Sequence, residues 1–135
     1  MEQVLDGDEI LAIIIRRDFS VEGISFFTPD NFSQQLALMS HSAGKVIDPH
    51  VHNPVSREVK YTQEVLIIRR GRLRVDFYND CQRFLESRIL DAGDVILLAA
   101  GGHGFEVLDE LEMIEIKQGP YAGGQDKTKF KSRDL

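Results

Sequence analysis

The chain of 135 residues has the usual length of one domain, and its 42% hydrophobic and 28% charged residues are typical of a folded globular protein. Sixteen Lys and Arg against 22 Asp and Glu give a net charge of -6, which argues against binding to nucleic acid. The longest apolar run, Ile10 to Ile15, is far shorter than the roughly 20 residues that cross a bilayer, so no membrane span is predicted.

The N-terminus of the chain and its single cysteine predict where the protein resides. The N-terminus, Met1 to Asp6, lacks the basic start and the long apolar stretch of a secretory signal. Cys81 has no intramolecular disulfide partner and is predicted to be an incidental thiol in a turn. Both features predict a cytoplasmic protein.

Short apolar stretches separated by Gly, Asn, Asp and Pro predict an all-β chain. Leu73, Val75 and Phe77 alternate with charged residues, as in a half-buried strand, and Gly71 is predicted to be the tight turn of a hairpin before it. Pro29 to Gln34 indicates one helical turn. Ten predicted strands, which indicate a sandwich or barrel, are Leu11 to Arg16, Gly23 to Phe27, Gln35 to Ser40, Lys45 to His52, Thr62 to Arg69, Arg72 to Tyr78, Phe84 to Asp91, Asp94 to Leu98, Gly104 to Asp109 and Leu111 to Lys117.

The end of the chain, from about residue 120 to 135, differs in character from the rest. Gly123 and Gly124 are followed by four cations, which suits either a nucleic-acid-binding tail or a solvated extension. The net negative charge favours the second interpretation, an extension that packs along the domain or along a partner subunit.

Two of the four histidines, His50 and His52, stand one residue apart on a predicted strand. Their side chains therefore leave the same face of that strand and can present nitrogen lone pairs to one point. A divalent ion such as zinc, iron, copper or nickel prefers such ligands. His41 is not part of this pattern and is predicted to have no ligand role.

Glu64 and His103 are candidates for the same chemistry. Glu64 begins an apolar strand, where a carboxylate is either a metal ligand or a surface strand end. His103 stands between Gly102 and Gly104, which let the backbone turn sharply and leave the ring accessible.

The order of these residues resembles the first signature motif of the cupin family, which is Gly, five residues, His-x-His, a short spacer, Glu, six residues and Gly. Gly44, His50, His52, Glu64 and Gly71 fill its fixed positions. The spacer of eleven residues departs from the usual three or four, and it contains Glu58 as a rival carboxylate. Glu64 is preferred because it keeps the family's distance to Gly71.

The second cupin motif is Gly, five residues, Pro-x-Gly, two residues and His. Gly93 and His103 fill its two ends, with one residue fewer between them than in the family. Ala99 replaces the proline, and Val107 replaces the Asn that often follows the His by four positions.

The resemblance spans roughly residues 35–119 and implies a single cupin domain with short N- and C-terminal extensions. It implies a jelly-roll β-barrel that holds one divalent transition metal, Fe, Zn, Mn or Ni, on His50, His52, Glu64 and His103. Three His and one Glu leave one or two positions for water or substrate, as in catalytic metal sites.

Further pocket residues are predicted from the alternation of side chains along a strand. Lys60, Thr62, Leu66 and Ile68 share parity with Glu64, and Phe105 and Val107 share parity with His103. Lys60 is either a ligand-binding cation or a solvated loop residue. Glu115 is either a catalytic or supporting carboxylate or an outward-facing residue between Ile114 and Ile116, and Tyr121 either closes the mouth of the barrel or caps a strand.

By resemblance, the protein is expected to be a metal-dependent enzyme acting on a small polar, carbohydrate-type molecule, by O2-dependent oxidation or by isomerisation. The alternative is a non-catalytic module that binds or senses a metabolite. A homodimer is expected, with Leu11 to Ile15 contributing an edge strand.

Overall fold

The computed structural model describes residues 1–132, and this part of the chain is all-β, as predicted. It contains no helix long and apolar enough to cross a membrane. The strands are β1 (Glu2–Asp6), β2 (Glu9–Ile15), β3 (Gly23–Phe26), β4 (Ala37–Ser40), β5 (Glu64–Tyr78), β6 (Phe84–Asp91), β7 (Val95–Leu98) and β8 (Gly102–Lys117), followed by a short 3-10 helix (Gly123–Asp126).

Six of these strands form one sheet that curls into a half-barrel. β1, β2, β7 and β5 lie side by side in that order. One edge of β5 pairs first with β7 and then with β6, whereas β8 pairs along nearly the whole of the other edge. β5 is therefore the central strand, and its two ends determine where the site residues lie.

β5 continues through Gly71, where a hairpin turn was predicted. Gly71 has a φ of 91°, and the pairing register with β8 shifts on both sides of it. Leu66 and Ile68 lie on the same face as Leu73 and Val75, so the alternation of side chains moves by one residue at this point. Such a β-bulge bends a strand without reversing it. The hairpin prediction was wrong because glycine supplies a positive φ for a bulge as readily as for a turn.

The hydrophobic core lies on both faces of the sheet. An inner cluster fills the concave face, and an outer cluster is covered by the segment that contains β3 and β4. The inner cluster comprises Val4, Leu11, Ala12, Ile14, Leu66, Ile68, Leu73, Val75, Phe77, Leu90, Ile96 and Leu98. Ile13, Val65 and Leu97 form the buried centre of the outer cluster.

Residues 41–63 form neither helix nor strand, so the predicted strand Lys45 to His52 is wrong. Pro49 and Pro54 lack the amide hydrogen that a strand donates to its neighbour, and they interrupt any ladder in this segment. Segments of this length without regular structure are uncommon in compact domains and are usually functional loops or linkers.

Two other predicted elements differ from the structure. Residues Pro29 to Gln34 form a turn, in which the Phe32 amide donates to the Pro29 carbonyl at 3.1 Å, and not a helix. Leu11 to Ile15 is not an edge strand, because β2 lies between β1 and β7 and is buried there. The sequence prediction missed β1, whose only buried residue is Val4.

Candidate metal and ligand site

The curl of the sheet brings opposite ends of the β5–β8 ladder together. Glu64 pairs in register with Lys117 at one end, and His103 pairs with Phe77 at the other. Nevertheless, His103 Nε2 lies 3.7 Å from Glu64 Oε2. We call this meeting point the mouth and define it by Thr62, Glu64, Tyr78, His103 and Lys117.

Glu64 and His103 are positioned as two ligands of one ion would be. Two ligand atoms at about 2.1 Å from a tetrahedral metal are about 3.4 Å apart, and the observed separation is 3.7 Å. An imidazole nitrogen and a carboxylate oxygen are suitable ligands for Zn, Fe, Mn and Ni. This pair therefore fits half of the four-residue set that the cupin motifs imply.

The electrostatics of the mouth favour an ionised Glu64. Its interaction with the adjacent His103 ring holds the pKa of the Glu64 carboxyl below its usual value and outweighs the opposing effect of burial. Glu115 and Lys117 lower this pKa further. A deprotonated carboxylate is the form that binds a metal ion.

Glu115 faces the mouth, and its neighbours face outward. Glu115 pairs in register with Leu66, a residue of the concave face, so its side chain leaves the same face of the sheet as that of Glu64. Ile114 and Ile116 pair with residues of the opposite face and are exposed. Of the two orientations considered for Glu115, the structure has the one that faces the site.

His50 and His52 lie elsewhere, in the irregular segment 41–63. Their rings contact each other edge to face, with centroids 5.2 Å apart, and both side chains are exposed. His50 Nδ1 lies 3.1 Å from the Asp48 carbonyl. Within residues 1–132, no three His, Cys, Asp or Glu side chains are grouped so that they could hold a metal ion. The structure thus contains two pairs of predicted ligands and does not bring the pairs together.

The predicted pocket residues fall into three environments. Leu66 and Ile68 are buried in the inner cluster beneath the mouth. Phe105 and Val107 pair with Val75 and Leu73 on the concave face and are exposed there. Lys60 is exposed and lies 3.9 Å from Glu58, the rival carboxylate, which is also exposed. Both line an open groove of about 1310 Å³ beside segment 41–63.

The C-terminal extension lies across the mouth. Asp126 Oδ2 accepts from Lys117 Nζ at 2.7 Å, and Asp126 Oδ1 accepts a short hydrogen bond from Thr62 Oγ1. Four residues later, the Phe130 ring packs edge to face on Tyr78, with centroids 5.0 Å apart. The extension thus contacts the domain through Asp126 and Phe130, while Arg133 lies outside the described residues.

Sequence reasoning did not single out Lys117 or Asp126 as site residues. Lys117 carried a detectable signal, since it follows Glu115 by two positions and therefore shares its face. Asp126 carried none, because its partners Thr62 and Lys117 are distant in sequence.

Comparison of the chain with protein-family models, curated proteins and solved structures finds no match.

Proposed function

We propose that the chain is a metal-binding cupin with a jelly-roll barrel, and that it acts as a metal-dependent enzyme on a small polar molecule. The observation that supports this proposal is the approach of His103 to Glu64 within 3.7 Å at the mouth, from opposite ends of the β5–β8 ladder. The two residues belong to different sequence motifs, and the cupin resemblance assigns both to one metal centre.

In this proposal His50 and His52 complete the centre when segment 41–63 folds against the mouth. The eleven residues between His52 and Glu64 reach at most about 40 Å when extended, so the chain does not prevent this approach. The two rings already lie side by side. The exposed apolar side chains of the segment, including Val46, Ile47 and Val51, gain a buried surface if the segment closes.

The residues around the ligands have separate tasks. A bound divalent ion supplies Lewis-acid chemistry or, if it is iron, oxygen chemistry at the open positions. Glu115, which lies on the same face of the sheet as Glu64, would hold or transfer a proton beside the substrate. Phe105 and Val107 provide an exposed apolar surface on the concave face, against which an apolar part of the molecule can pack.

Elemental analysis of protein purified without an affinity tag tests the metal centre. We expect about one equivalent of a transition metal per chain, bound at purification or on titration, and loss of that metal in His52→Ala. His41→Ala serves as the control because His41 lies outside the motif. An absence of metal in the wild-type chain, before and after titration, would rule out the proposed centre.

Turnover distinguishes the enzyme from a binding module. The enzyme hypothesis predicts product formation that disappears in His52→Ala together with the metal. Saturable binding of a small molecule without any product would instead identify a non-catalytic module.

We also propose that the chain forms a homodimer, now through the two-stranded sheet of β3 and β4. Ile24, which pairs with Met39, and Phe26 are exposed on this sheet. A second copy that covers this exposed apolar surface would stabilise it. The edge of β8 is a poorer contact because it has five acidic residues, which would repel those of a second copy: Glu106, Asp109, Glu110, Glu112 and Glu115.

Light scattering coupled to size-exclusion chromatography tests the dimer. We expect twice the chain mass of 15.3 kDa at micromolar concentration, and a monomer for Phe26→Glu. Leu108→Glu, on β8, is expected to leave the dimer intact. A wild-type monomer would contradict the proposal. A dimer that is lost in Leu108→Glu and kept in Phe26→Glu would show that the contact lies on β8.

A further inference from the structure

Asp126 of the C-terminal extension is held at the mouth in the way that the carboxylate of a bound ligand would be. Asp126 presents both carboxylate oxygens, one to the Lys117 ammonium at 2.7 Å and one to the Thr62 hydroxyl. Its side chain is 15% exposed, and that of Lys117 is 33% exposed. A cation and a hydroxyl that each bind one oxygen form a two-point site for a carboxylate.

The contact of Asp126 with Lys117 and Thr62 lies at the candidate site. Lys117 pairs in register with Glu64, so its side chain leaves the same face of the sheet as that of Glu64. Asp126 also borders two cavities at once, one of about 210 Å³ and the open groove of about 1310 Å³. Five residues line both cavities: Gln118, Gly119, Pro120, Ala122 and Asp126.

We propose that Lys117 and Thr62 form a recognition site for the carboxylate of a small-molecule ligand, and that Asp126 occupies this site as an internal competitor. The inference rests on the proposed function for the identity of the mouth as the active site, and it adds the ligand class. Displacement of Asp126 would join the two cavities at Lys117 and Thr62.

The extension is held at the mouth by two attachments, the contact of Asp126 and a second contact of Phe130. Hydrogen bonding to Asp126 raises the pKa of Lys117, and hydrogen bonding from Lys117 lowers the pKa of Asp126, so both groups stay charged near neutral pH. Phe130 holds the extension at Tyr78 and also lies against Gly102, where an added Cβ would be 3.0 Å from the ring. A tethered group of this kind has an effective concentration on the order of millimolar.

Calorimetric titration of the full chain with succinate tests the inference, after metal has been removed with phenanthroline and dialysis. We expect Asp126→Ala to bind succinate about tenfold more tightly than the wild type, because the competing charged hydrogen bonds are gone. Adding Lys117→Met to Asp126→Ala should abolish binding, and Thr62→Val should weaken it. Asp30→Ala is the matched control, since it removes one negative charge from the wall of the same groove.

Several results would overturn the inference. These are an equal gain in Asp30→Ala, no gain in Asp126→Ala, or equal binding of the neutral analogue succinamide. Inorganic phosphate that binds Asp126→Ala as tightly as succinate would overturn the assignment to carboxylates. Succinate binding in a chain that takes up no metal would refute only the metal centre. Metal uptake without succinate binding would refute only this inference.

Discussion

Replacing Glu64 by Gln is expected to lower the affinity for a divalent metal by at least about 100-fold, because loss of a partner that merely supports a ligand already costs 10–100-fold. Glutamine keeps the size of the side chain but removes the negative charge that His103, Glu115 and Lys117 favour at this position. Titration with Zn or Fe(II), followed by calorimetry, measures the change.

Glu58→Gln is the matched control for this substitution. Glu58 is the other carboxylate that follows the His-x-His motif, and its side chain is 82% exposed and beside Lys60. Its removal should leave metal affinity within about twofold of the wild type. If Glu58→Gln loses the metal and Glu64→Gln keeps it, the assignment of the carboxylate ligand is reversed. If neither loses it, neither carboxylate is a ligand.

Replacing Gly71 by Ala is expected to destabilise the fold by about 3 kcal/mol, because the residue has a strained backbone conformation for any side chain. Its φ is 91°, and an added Cβ would lie 2.1 Å from the carbonyl oxygen of Glu110 on β8. The clash involves backbone atoms, so it is relieved only if β5 and β8 separate. Urea unfolding followed by circular dichroism measures the loss.

Gly124→Ala is the control for the effect of the substitution itself. Gly124 has no atom within 4 Å of an added Cβ and no positive φ, so the change in stability should stay within about 0.5 kcal/mol. Equal midpoints for Gly71→Ala and Gly124→Ala would contradict the assignment of a required bulge. The bulge lies within the ladder whose ends form the mouth, so Gly71→Ala is also expected to move Glu64 away from His103.

The alternation of side chains along the sequence predicted those features of the fold that depend on neighbouring residues in the chain. Phe84 to Asp91 was predicted with the bounds that β6 has. The shared face of His103, Phe105 and Val107 follows from alternation, and the register with β5 agrees with it. The alternation of side chains did not distinguish a bulge from a turn at Gly71. Both structures use glycine for its positive φ, and only the pairing with the partner strand shows which of them is present.

The sequence by itself determined the all-β class, the apolar faces of the strands and the identity of the candidate ligands, because these depend on residue type and local period. Only the tertiary structure decided which candidates meet. The curl of the sheet places Glu64 near His103, leaves His50 and His52 on segment 41–63, and brings Asp126 to Lys117 and Thr62. These contacts join residues far apart in sequence, and no local pattern encodes the closure of a sheet around them.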